Sequence, residues 1–225
     1  MKPSMPVTLA ALLPAALFLL SGPVLAQVVY ADQTVFNTEN PGLTAFGFDN
    51  IAPIDGFFDY SGDSNTLTLN GFTFSQPVTD VNPFLSVISS SYYVPTYALG
   101  GSDFLQASSG SLTTLNIKLP TNTTAFGADF GTFETAGQIQ VLVNGQALTA
   151  PLVASDTSSG SFFGYTSLAP ITSLSFIEHN GTVLNTNNIE FGSASTVPEA
   201  SSALSLSLLL GIGGAAYFLR RKKAA

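Results

Sequence analysis

The chain has no cysteine, no tryptophan, one histidine and only six basic residues against fourteen acidic ones in 225 positions. Each shortage excludes something. Without cysteine there is no disulfide framework, no thiolate nucleophile and no thiolate zinc site. Without tryptophan the chain lacks the broadest ring for stacking on sugars. His179 is the only imidazole, so a Ser-His-acid triad would have to use it. No G-x-S-x-G elbow or phosphate-cradling glycine loop accompanies it. Glu178 adjoins His179, but neighbours on a strand point to opposite faces. Asn180-Gly181 then predicts a turn that leaves the imidazole in water.

The shortage of bases is sharper once it is located. Lys2 and Arg220 to Lys223 sit near the ends, and Lys118 alone lies between them. From Gln27 to Glu199, one base faces fourteen acids, a formal charge of −13. Phosphate backbones are bound through Lys and Arg, so nucleic acid is excluded as a partner. The charge suits solubility outside the cell, cations, or a matrix rich in polysaccharide.

Both ends are apolar. Met1 to Ala26 carries Lys2, the run LAALLPAALFLL, helix-breaking Gly22-Pro23, and Val24-Leu25-Ala26 before Gln27. That order predicts a secretory signal peptide over 1–26. Ser201 to Leu219 is nineteen residues without a charge, close to the length that spans a bilayer as a helix. Arg220, Arg221, Lys222 and Lys223 follow and predict a cytoplasmic C-terminus.

Val197-Pro198-Glu199-Ala200, the apolar run and the basic cluster together resemble the PEP-CTERM sorting signal of Gram-negative bacteria that make exopolysaccharide. The resemblance covers about thirty residues, with Ala200 where the family has its second proline. It implies insertion of the tail in the membrane and processing near Glu199 by an exosortase-type enzyme. An LPxTG-type sortase motif is absent. AFGADFGTF, SFFGYTSLAPI and NNIEFG are similar to segments of PEP-CTERM ectodomains of β-sandwich type.

The residues between, 27–196, fit one domain. Short alternating runs recur between Gly, Asn, Asp, Ser and Pro, and no stretch shows a sustained helical period. Asn65 to Leu69, Leu115 to Leu119 and Gln138 to Val143 alternate, and Asn144-Gly145 predicts a hairpin turn before Gln146. TAFGFDNI, GFTFS, FLSVIS, AFGADF, SFFGYTS, ITSLSFIE and NNIEF add further strands. The expected fold is all-β, an antiparallel β-sandwich or jelly roll. Phe46, Phe48, Phe72, Phe74, Phe126, Phe130, Phe162, Phe176 and Phe191 are expected to fill the space between the sheets.

Site signals are sparse. Asp55, Asp59, Asp63 and Asn65 gather oxygen donors in one turn, a candidate calcium site, although such turns also bond their own backbone. Tyr92, Tyr93 and Tyr97 lie in a loop-like stretch as candidate sugar contacts. A glycosidase needs two placed carboxylates. Glu134 and Glu190, in apolar surroundings, are the acids to consider, but no pair is marked. The expectation is an exported, non-catalytic protein, structural or adhesive in an exopolysaccharide matrix. A carbohydrate-binding module and a secreted polysaccharide hydrolase are the alternatives. Intact-mass measurement of the exported protein should find Gln27 as its first residue, and a chain still carrying Lys2 would refute the signal peptide.

Overall fold

Alternating apolar and polar residues become two facing antiparallel sheets in the computed structural model. It describes residues 27–195 except 78–79, 81, 93–98, 111, 133–136, 150–151, 155–159 and 180–182. The expected signal peptide, the span Ser201–Leu219 and the sorting motif therefore lie outside the described residues. Among the described residues no helix is long and apolar enough to cross a membrane.

Strands are numbered in chain order. Sheet A runs β1 (Gln27–Tyr30), β13 (Ser161–Ser167), β9 (Ala125–Gly131), β15 (Val183–Gly192), β7 (Phe104–Ser108), β6 (Phe84–Ile88) and β3 (Phe57–Asp59). A further strand, β2 (Thr44–Phe46), pairs with the distal part of β15. Sheet B runs β11 (Gln146–Ala147), β10 (Gly137–Val143), β14 (Ser173–Glu178), β8 (Thr113–Lys118), β5 (Phe72–Ser75) and β4 (Thr66–Leu69). There, β12 (Leu152–Ala154) pairs with β10.

Side chains from both sheets meet in one apolar core. Phe130 of β9 stacks on Phe176 of β14 with ring centroids 4.2 Å apart, and Phe163 of β13 meets the same ring edge-on at 5.5 Å. Phe72, Phe74, Phe48 and Phe126 are fully buried beside them. Truncating a ring at the centre of such a core costs about 3–5 kcal/mol. The turn prediction at Asn144-Gly145 holds, with φ of 50° and 79° at the two residues. Asn70-Gly71 closes β4 onto β5 in the same way, at 51° and 82°.

Three expectations are corrected. A helix, α1 (Gln33–Glu39), is present; its two turns are too short to register as a helical period. Asp32 caps it, accepting from the N–H groups of Thr34 and Val35 at 2.8 and 3.1 Å. Phe162 lies outside the sandwich, packed at 5.4 Å against Phe36 of α1 in a smaller cluster with Tyr30 and Ala125. TAFGFDNI supplies a strand only as far as Phe46, which pairs with Ile189 beside the bulge at Asn188 of β15; the chain then turns at Asn50, with a left-handed φ of 65°.

Gly127 and Gly164, opposite each other on β9 and β13, form the floor on which Phe36 rests. A Cβ on Gly127 would stand 2.8 Å from ring atoms of both Phe162 and Phe36. Gly127→Ala should therefore lower stability by about 1–3 kcal/mol through overpacking. Urea denaturation measures it, and an unchanged midpoint would mean α1 is not seated by that contact.

Candidate functional site

A concave feature grows from the corner after β2. Phe48 is fully buried in the core, which leaves its neighbours Asp49 and Asn50 on the surface. Asp103, only 9% exposed, locks this corner to the next loop. Its Oδ2 accepts from the Asn50 N–H at 3.2 Å and its Oδ1 from the Ser90 N–H at 2.9 Å. The Asp103 N–H in turn donates to Asp49 Oδ1 at 3.1 Å. Ser91 Oγ accepts from the Asp55 N–H at 3.0 Å and lies 2.8 Å from Ser89 Oγ. Between these loops opens a polar cleft of about 400 Å³, bordered by Asp49, Asp103 and Ser89 to Ser91.

Ile54 borders the cleft, and exposed aromatic side chains lie on the chain segments next to it. Ile54 is 88% exposed. Phe57, on the edge strand β3, meets Phe84 at 5.9 Å and Tyr92 at 5.6 Å, and both Phe57 and Tyr92 remain about 41% exposed. Phe58 is exposed on the opposite face of β3, tilted against Tyr60 at 5.0 Å. A scattered exposed ring is ordinary, but several together beside a cleft mark a contact surface.

A second polar group lies on the outer face of sheet A. Glu190 is 8% exposed, and its Oε1 accepts from Gln33 Nε2 at 2.6 Å and Asn37 Nδ2 at 3.2 Å, both from α1. Its surroundings are therefore amides, not the apolar ones expected, and it fastens the helix to the sheet. Asp129 Oδ2 accepts from Asn188 Nδ2 at 2.6 Å. Burial pushes the Asp129 carboxyl above its ordinary value; the Asn188 bond opposes this, and the nearby Glu190 charge adds to it. Asn188, at φ 51°, sits in a bulge of β15, where the register with β9 shifts between Asn187 and Glu190.

Of the candidate calcium turn, the side chains of Asp55, Asp59 and Asn65 are described. Asp59 directs both carboxylate oxygens to Ser61, accepting its N–H and its hydroxyl at 2.7 Å each. Asp55 sits in a separate turn with φ 54°, and its N–H faces Ser91. Asn65 is 5% exposed with its Oδ1 buried and without a hydrogen-bond partner. The Asp63 side chain lies outside the described residues. Among the described residues, no three His, Asp or Glu side chains converge as a metal cage. Of the three tyrosines, Tyr92 is exposed beside Phe57 and directly follows Ser91 of the cleft, while Tyr93 and Tyr97 lie outside the described residues, as does Glu134. Glu178 is fully buried and His179 exposed, as the alternation of β14 requires.

Asp49, Asp103, Ile54 and Phe57 carried no signal that sequence spacing could isolate. Asp49 and Asp103 are 54 positions apart and meet only because β7 and the corner after β2 flank the same sheet. The nearest hint is Phe57-Phe58 beside turn residues, a pair no single buried face can hold.

No family model matches the chain, and no curated protein does. Among solved structures, the K1 cleaved adhesin domain of Lys-gingipain from Porphyromonas gingivalis W83 aligns at 10% identity, covering 67% of this chain and 98% of that one. The TM-score is 0.34, a likeness too slight to carry an argument.

Asp129 gives a signed prediction. Its folded-state pKa is raised, so its contribution to stability is fully present below the ordinary aspartate value and is lost as pH rises through the folded value. Asp129→Asn, which keeps an acceptor for Asn188, should stabilise the protein at neutral pH. That gain should shrink as pH falls into the aspartate range. Denaturation at a series of pH values in chelator tests it, and a gain that grows on acidification would reverse the sign.

Proposed function

We propose that the chain is an exported, non-catalytic adhesion domain that holds polysaccharide at or beyond the cell surface. The observation that carries this reading is the Asp49/Asp103/Ser89–Ser91 cleft, with Ile54 exposed on its border and the exposed Phe57–Tyr92 ring pair on the adjoining chain segments. Sugars present apolar C–H faces and rings of hydroxyls. Aromatic side chains suit the former, and serines and carboxylates suit the latter. The acids of this region accept backbone N–H groups, a use that builds loops and leaves no marked acid–base pair. The strongly negative surface suits a neutral glycan, or an acidic one bridged by cations.

Delivery belongs to the same proposal. The tail resembles a PEP-CTERM signal, with Val197-Pro198-Glu199-Ala200 read by an exosortase-type enzyme after membrane insertion. Arg220 to Lys223 hold that tail on the cytoplasmic side until it is processed. A dedicated carbohydrate-binding module is the second reading, favoured by the ordered serine hydroxyls in the cleft, which suit one defined sugar.

Affinity electrophoresis through gels cast with the host's own exopolysaccharide tests the proposal. The protein should be retarded, and Phe57→Ala with Tyr92→Ala should weaken retention roughly 5- to 30-fold, as loss of about 1–2 kcal/mol of contact implies. Saturable binding to a single oligosaccharide on a glycan array would favour the module. Unretarded migration would refute adhesion, and release of reducing ends would refute the absence of catalysis.

A further inference from the structure

Asn187 is fully buried, and neither its Oδ1 nor its Nδ2 has a hydrogen-bond partner. A buried amide left wholly unpaired forfeits its hydration without compensation, so native proteins seldom keep one without a ligand, ion or water. Its oxygen is not aimed at apolar packing. It stands 3.1 Å from the point where a Cβ on Gly47 would lie, and Asp49 Oδ2 stands 3.8 Å from that same point. Gly47, by having no side chain, leaves open the space between an amide oxygen and a carboxylate oxygen.

The charge around this space has one sign. Asp129 is opposite Asn187 in the ladder, and Glu190 follows on the same outer face of sheet A. Glu190 Oε2 is itself buried without a hydrogen-bond partner. The only base among the described residues, Lys118, is exposed on β8 in the other sheet. No Lys or Arg among the described residues balances these carboxylates.

From this we infer a calcium site between the β15 bulge and the Gly47–Asp49 corner, with Asn187 Oδ1 and Asp49 Oδ2 as side-chain ligands. Calcium takes six to eight oxygens, mixing carboxylate, amide and main-chain carbonyls with water. Retained waters would also give Asn187 Nδ2 an acceptor. The site differs from the Asp55–Asn65 turn, whose Asp59 is occupied by Ser61. It adjoins the polysaccharide cleft through Asp49 but does not depend on that function. A bound ion would fix the corner that forms one wall of the cleft.

Isothermal titration of calcium chloride into the full-length chain in detergent, after chelator treatment, tests the assignment. One ion per chain should bind, and calcium should raise the melting temperature that chelator lowers. Asp49→Ala, at an exposed position that leaves the core intact, should weaken binding at least tenfold. Asn187→Asp should tighten it several-fold by adding charge, which a packing role would not do. Asp59→Ala with Asp63→Ala should change nothing. Absence of binding, with a melt indifferent to both calcium and chelator, would assign the space to a buried water and overturn the site. Binding that survives Asp49→Ala but is lost in the Asp59/Asp63 double variant would overturn it equally.

Discussion

Negative charge without counter-charge is the constraint that organises this molecule. Between the two terminal segments Lys118 is the only base, so carboxylates cannot be neutralised by ion pairs. They are matched instead by neutral donors. Asp32 takes the first amides of α1, Asp103 takes two loop amides, and Asp80 Oδ2 accepts the N–H of Thr114. Glu39 accepts the Tyr30 hydroxyl at 2.8 Å, and Glu190 accepts two side-chain amides. Hydrogen bonds to charged groups are worth about 1.5–3 kcal/mol, more than exposed ion pairs typically give. Each of these acids thereby becomes a pin for a loop, a strand or the helix, and the loops pinned by Asp103 form walls of the cleft.

The sandwich was legible because its rule is local. A period of two with turn residues between runs locates β4, β5, β6, β8, β9, β10, β13, β14 and β15 without knowledge of their partners. Asn70-Gly71 was as readable as Asn144-Gly145, since both residues of each pair take positive φ. The elements that escaped are short or borrowed. The three residues of β3 and of β12 have no room to show alternation, and β7 reads FLQAS, where Gln106 hides on the outer face by bonding Asn185 at 3.2 Å. α1 escaped because two turns show no period; only Asp32, which the structure shows as its cap, marks its start.

The site was far less legible, for a different reason. Oxygen-rich turns are common in this sequence, and composition alone cannot separate a turn that satisfies itself from one that lacks a partner. Asp59 and Asn187 illustrate the two cases: Ser61 two residues away completes the first, whereas the second depends on a glycine 140 positions distant. Pairing across such separations is decided by strand order, which alternation does not encode. Tyr92 was identifiable because it is a tyrosine in a loop, but its companion Phe57 came from an edge strand too short to read.

The placement of β15 has a mechanical consequence. It is the longest strand described and lies inside sheet A, between β9 and β7, with β2 added along its distal part. A load applied to the segment after Gly192 enters the fold through this strand. Pulling along its axis strains the two flanking ladders in shear, so many hydrogen bonds share the force rather than failing one after another. The exposed rings of β3 lie on the far edge of the same sheet, three ladders away through β7 and β6. Tension between a ligand held there and the chain's C-terminal segment would thus cross one continuous hydrogen-bonded sheet, with no need for the inter-sheet core to transmit it.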